Sequence, residues 1–365
     1  MDQRLIKLSN TIVDYSINVQ KGERVLITTN SLETRSLLNL LIKDISKVGG
    51  IPFINIKDNR ISALINETMD ETRVPCIKSI LASELENYDS FISIVYKEND
   101  YELKNMKESY KKSIGQATMH LHDVRINQRK WVLLEYPSTL DAFKAKMTTE
   151  EYYNYALDVM SVDYRKYQNE IKPLKELMDK TNKVRITSPN TDITFSIKGM
   201  PSVPCCGDKN IPDGELYSAP IKDSVNGIIS YNTPCPYDGY IYNDVSLTFK
   251  DGKIIECSTS GDINRLNKIF DTDEGSRYVG EFSLGFNKMI NKPIGDILYD
   301  EKIWGSLHFT PGRCYKDCDN GNMSSIHWDM VLIQTKEFGG GCIYFDDVLI
   351  REDGYFVLEE LKHLN

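Results

Sequence analysis

The sequence predicts an α/β N-terminal domain with an open, mainly parallel sheet, followed by an α+β, β-rich C-terminal domain. Three observations predict it. Short apolar runs alternate with helical spacings through the first half of the chain. After Lys183 the hydrophobic period drops to two and hairpin turns enter. The length of 365 residues exceeds one typical domain. The boundaries expected are 1–180 and 181–365.

In the first domain, Leu5, Leu8, Ile12 and Tyr15 mark a helix within 3–19. The turn at 21–23 leads into the β-prone run Val25–Thr28. Leu37, Leu38, Leu41, Ile45 and Val48 share one face of a helix over 33–48. Gly49 and Gly50 end it, where positive φ is useful. Strands follow at 51–56, 91–96 and 131–134, with helices at 73–87 and 101–121 between them. The loop after the first strand reads TNSLETRS and holds no glycine, so a dinucleotide or phosphate-loop site is rejected. His120 and His122 are read as ordinary structural histidines. Residues 149–180 form a polar helical stretch rich in tyrosine, read as a linker whose rings pack at a boundary.

In the second domain, Ile193, Phe195 and Ile197 alternate, as do Val245, Leu247 and Phe249. DGK at 251–253 and the Asp353–Gly354 pair signal hairpins. A short helix is expected at 261–270.

Charge and cysteine usage exclude several classes. A net charge of −9 argues against nucleic acid as the main partner. The 8 cysteines include no CxxC pair and are read as reduced thiols, and Cys314 and Cys318 are not read as ligands. The start MDQRLIKLSN has no long apolar run, and no stretch is long enough to cross a membrane. A cytoplasmic protein is expected.

The chemistry concentrates between Gly280 and Asp329. That stretch holds Glu281, Tyr315, Asp329 and two of the 5 histidines, His308 and His327. Glu215, in NIPDGE, is added as a further carboxylate. Three carboxylates and two imidazoles without thiolate suit Zn²⁺, Co²⁺ or Mn²⁺. Five donors exceed the needs of one catalytic ion and fit two ions sharing a carboxylate. His327 and Asp329 would project from one face of a strand. Gly214 and Gly280 let the backbone turn or approach closely before each glutamate. The residues alone leave open whether these five hold metal or are ordinary polar side chains.

GELYSAP, GEFSLGFN, DEKIWGSLHFTPGRCY and HWD resemble the metallopeptidase family of aminopeptidase T and aminopeptidase S. LTFKDGKII and DDVLIREDGYFV also resemble it, in the same order along the chain. The resemblance implies an α/β domain, a C-terminal catalytic domain with two divalent ions, and a homodimer enclosing its active sites. It implies Glu215, Glu281, His308, His327 and Asp329 as ligands, Tyr315 as the catalytic tyrosine, and a peptide as substrate. Two segments depart from it: a run resembling HLALG reads HFTPG, and one resembling FDENAS reads YDEKIWGS. The interval from His308 to His327 is also shorter.

The expected activity is therefore that of a metal-dependent aminopeptidase using metal-activated water. Glu281 is the expected bridge, Tyr315 a donor to the oxyanion, and Glu301 a candidate general base against a plain surface acid. The alternatives are a hydrolase of another amide or modified amino acid, and a non-enzymatic binding protein on the same scaffold.

Overall fold

In the computed structural model, which describes residues 2–365, apolar six-residue runs build a parallel sheet in the first half of the chain. Its strands are β1 (Arg24–Thr29), β2 (Ile51–Ile56), β3 (Ser90–Val95) and β4 (Lys130–Glu135). The order is β2-β1-β3-β4, and a short strand β8 (Asn210–Ile211) adds to β4, all parallel. Central β1 buries Val25, Leu26 and Ile27, as a strand covered on both faces should. Edge strand β2 leaves Ile51, Phe53 and Ile56 exposed.

Helix α1 (Gln3–Thr11) precedes these strands, and α2 (Arg35–Lys47), α3 (Asn59–Thr68), α4 (Val74–Asn87) and α5 (Glu108–Gln128) connect them. The strand order reverses between β1 and β3, where open α/β sheets offer a crevice. Here the Asn30 amide spans it, donating to the Tyr96 carbonyl (2.8 Å) and accepting from the Tyr96 amide (2.7 Å). His120 and His122 lie exposed on α5.

The expected single stretch at 149–180 is three helices after a short α6 (Thr139–Lys144): α7 (Thr149–Met160), α8 (Tyr164–Glu170) and α9 (Lys172–Lys180). Local chemistry breaks it. Thr148 and Glu151 form a capping box at α7, Asp163 caps α8, and Pro173 sits in the first turn of α9.

The remaining strands are antiparallel. They are β5 (Lys183–Ser188), β6 (Thr191–Ser196), β7 (Val203–Cys205), β9 (Glu215–Ser218), β10 (Asn226–Ser230), β11 (Cys235–Tyr237) and β12 (Tyr240–Tyr242). After them come β13 (Ser246–Lys250), β14 (Lys253–Ser258), β15 (Val279–Gly285), β16 (Ser306–Pro311), β17 (Val331–Ile333), β18 (Cys342–Phe345), β19 (Val348–Glu352) and β20 (Tyr355–Phe356). One sheet runs β14-β13-β10-β6-β5-β18-β19-β20 and a second runs β17-β16-β15-β9-β7. Phe195 of β6 meets Phe282 of β15 and Phe309 of β16, each with centroids 5.0 Å apart. These rings belong to the core between the two sheets. Helix α10 (Ile263–Phe270) and the short α11 (Ile297–Asp300) complete the regular structure.

The chain divides into two compact units: one runs to Val162 and adds Gly207–Pro212, the other is Asp163–Cys206 with Asp213–Asn365. Residue 180, the boundary expected from sequence, lies inside the second unit, because Leu174 and Met178 of α9 join its core.

Candidate metal centre

Strand periodicity divides β15 and β16 chemically. Phe282, Leu284, Leu307 and Phe309 enter the core. Their neighbours Glu281, Ser283, His308 and Thr310 point the other way and are also buried. Register aligns Glu281 with Thr310 and Ser283 with His308. Strand β9 brings Glu215 opposite Gly285.

The two glycines before the acids do different things. Gly214 takes φ +133°, open to few side chains. At Gly280 a Cβ would lie 2.4 Å from the Arg313 carbonyl oxygen, so only glycine admits that approach. His327 and Asp329 are not in a full strand. A single bridge, His327 to Gly312, holds them just ahead of β17.

All five sequence-derived donors lie together. His308 Nε2 is 3.2 Å from Glu281 Oε1 and 3.4 Å from Glu215 Oε2. His327 Nε2 is 3.3 Å from Glu281 Oε2 and 3.3 Å from Asp329 Oδ1. Glu281 therefore belongs to two three-donor groups, one with Glu215 and His308 and one with His327 and Asp329. Tyr315 stands beside them, its ring 4.8 Å from that of His327 and 5.6 Å from that of Tyr217.

The surroundings fix which nitrogen faces inward. Nδ1 of His308 lies 3.3 Å from the Glu301 carbonyl, and Nδ1 of His327 lies 2.7 Å from the Arg313 carbonyl. A carbonyl only accepts, so each Nδ1 carries the proton and each Nε2 faces the acids. Buried His327 Nε2 has no hydrogen-bond partner of acceptable geometry. Thr310 donates to Asp329 Oδ1 (2.7 Å) and Ser283 to Glu215 Oε2 (2.9 Å). Two orientated imidazole nitrogens among two buried carboxylates and the half-buried Asp329 fit divalent cations.

Electrostatics point the same way. Burial would lower His308, but Glu215 and Glu281 overcome it and push the ring up to about 10. His327 is likewise raised, against burial, by Asp329 and Glu281. Burial would raise Glu281 and Asp329, yet the two histidines hold both below the usual carboxylate range. The acids thus demand positive charge, which either protons or cations can supply. Desolvation, with the nearby Glu281, Asp329 and Glu301 carboxylates, holds the Tyr315 phenol well above its usual value, although the residue is 38% exposed.

Two further residues escaped the sequence reading or were undervalued by it. Glu301 is not a surface acid: it forms a group with His308 and Asp329, and burial lifts it to about 8. Lys302 is fully buried, its ammonium 3.3 Å from Glu215 Oε1 and in close contact with Glu301 Oε1. Its only signal in the sequence is the DEK triplet in a departing segment. Cys314 and Cys318 turn elsewhere, to Asp319 and to the Pro201 carbonyl.

This chain resembles known proteins along its length. It is 25% identical over 352 residues to aminopeptidase AmpS of Bacillus subtilis (strain 168), covering 86% of this chain and 85% of that one. It is 28% identical over 142 residues to aminopeptidase T of Thermus aquaticus, 34% of each chain. The solved structure of wild-type AmpT from Thermus thermophilus superposes with a TM-score of 0.80 at 15% identity, covering 98% of this chain and 99% of that one, which shows the shared fold. The family described as thermophilic metalloprotease (M29) matches residues 1–356, and the chain belongs to that family.

Proposed function

We propose that Glu215, Glu281, His308, His327 and Asp329 hold two divalent ions, zinc, cobalt or manganese, with Glu281 shared between them. By family and relatives the chain is a metal-dependent aminopeptidase, a hydrolase of peptide bonds. The observation that carries the two-ion reading is the reach of Glu281, one oxygen toward each histidine at 3.2 and 3.3 Å. When bound, such ions acidify a water and polarise the scissile carbonyl.

The chain's own residues supply the rest. Tyr315 keeps its proton and donates it in a hydrogen bond to the oxyanion that develops on the scissile carbonyl. Glu301 is the candidate general base: burial lifts it to about 8, and cations held beside it would lower it again, so that the carboxylate form is present near neutral pH. It takes the proton of the attacking water and returns it to the leaving amine. Thr310 and the Glu301 and Arg313 carbonyls hold the donors in place. A cytoplasmic homodimer belongs to the same proposal, supported by the resemblance to aminopeptidases T and S. No helix among the described residues is long and apolar enough to cross a membrane.

The test assays aminoacyl-nitroanilides with added Co²⁺, Zn²⁺ or Mn²⁺ while metal per chain is measured. Turnover with two equivalents is expected. Full turnover in metal-stripped protein or in Glu281→Ala overturns the reading.

A further inference from the structure

The two halves of the donor cluster differ in what else touches their acids. Asp329 accepts from a neutral hydroxyl, that of Thr310. Glu215 accepts from the Ser283 hydroxyl on one oxygen and meets the Lys302 ammonium on the other. Lys302 is wholly enclosed and cannot swing its charge into solvent. Its backbone is held at both ends. Its amide donates to the Tyr299 carbonyl at 3.0 Å, and its carbonyl accepts from the Asn287 amide at 3.1 Å. Asn287 in turn donates to the Asp213 carbonyl at 2.7 Å, two residues before Glu215. The ammonium and the carboxylate it faces therefore belong to one tightly tied piece of backbone.

We propose that Lys302 makes the two ion positions unequal. The position formed by Glu281, His327 and Asp329 holds its ion tightly. The position formed by Glu215, Glu281 and His308 holds its ion weakly and exchanges it. An ion entering there shares Glu215 with a fixed positive charge, and burial withholds the water that would screen the two. The same ammonium also meets Glu301, which lies within reach of both His308 and Asp329. The inference rests on the two-ion reading above and concerns Lys302, in the segment YDEKIWGS.

Zinc release from the loaded protein tests it without recourse to activity. The full chain is equilibrated against a series of chelator-buffered free Zn²⁺ concentrations, and zinc per chain is counted by mass spectrometry. Wild type should lose one equivalent at a free zinc concentration at least tenfold above that which releases the other. Lys302→Met should close that gap, and Lys302→Arg should keep it. Glu215→Gln should abolish the weak equivalent and spare the tight one, a result that stands even where Lys302→Met fails to fold. Two equivalents leaving together in wild type, an unchanged gap in Lys302→Met, or loss of the tight equivalent in Glu215→Gln would each overturn the inference while leaving two ions intact. A chain that never takes a second equivalent overturns the two-ion reading and this inference with it.

Discussion

In β1 the buried residues are Val25, Leu26, Ile27 and Thr29, mostly apolar; in β15 they include Glu281 and Ser283, equally shut off from solvent. The parallel sheet buries apolar atoms, and its stability follows from area removed from water. The antiparallel sheet is oily on one face only. Its other face buries carboxylates, imidazoles and hydroxyls, which are costly to bury unless partnered. The polar face can therefore hold together only through charge compensation, and the two sheets should fail in different ways.

The sharpest way to break the contrast is Glu281→Ala. Activity should fall to background and both equivalents of metal should weaken, while α5 and the parallel sheet keep their hydrogen-exchange protection. Tyr315→Phe should come next, lowering kcat by roughly 10²–10³-fold with metal content unchanged. Thr310→Val removes the hydroxyl that fixes Asp329 and should weaken metal binding about 10–100-fold, read by chelator competition. At the other pole, Ile27→Val, at a fully buried position of β1, should cost about 0.5–1.5 kcal/mol in denaturant unfolding, with no change in metal affinity. A change of metal affinity there would erase the distinction between the sheets.

Protons sharpen the same comparison. Without metal, His308 stays protonated up to about 10, held by Glu215 and Glu281 against the pull of burial. A ligand must be neutral, so metal uptake expels that proton. Apparent affinity should rise with pH toward that value and fall as the solution is acidified. Calorimetry in buffers of different ionisation enthalpy measures the release; uptake without proton release would contradict the assignment of His308.

The two sheets were also legible to different degrees. The parallel strands announce themselves because continuous apolar runs have few other uses. Helix α3 was missed although Ile61, Leu64 and Ile65 have helical spacing; those residues are exposed, so no core demanded them. The three-way break of 149–180 was written in Thr148, Asp163 and Pro173, local signals that overall periodicity masked. Within the site, the named donors stand in glycine-marked motifs. Ser283 and Thr310 were readable in principle as the period-two neighbours of Glu281 and His308. Lys302 was not, because a lysine after Asp-Glu reads as a solvated helix start. Only the fold encloses it between Glu215 and Glu301.

Strand β8 joins the first sheet late in synthesis. Asn210 and Ile211 pair with Leu133 and Leu134 of β4, so the first sheet gains its outer strand only after residues 163–206 have left the ribosome. At about 5–20 residues per second that delay is on the order of seconds. Meanwhile β4, with Trp131, Val132, Leu133 and Leu134, presents a bare parallel edge to other nascent chains. A gene fragment stopped at Val162 would leave that edge bare and should yield insoluble material, whereas the uncut chain pairs Leu133 and Leu134 from within.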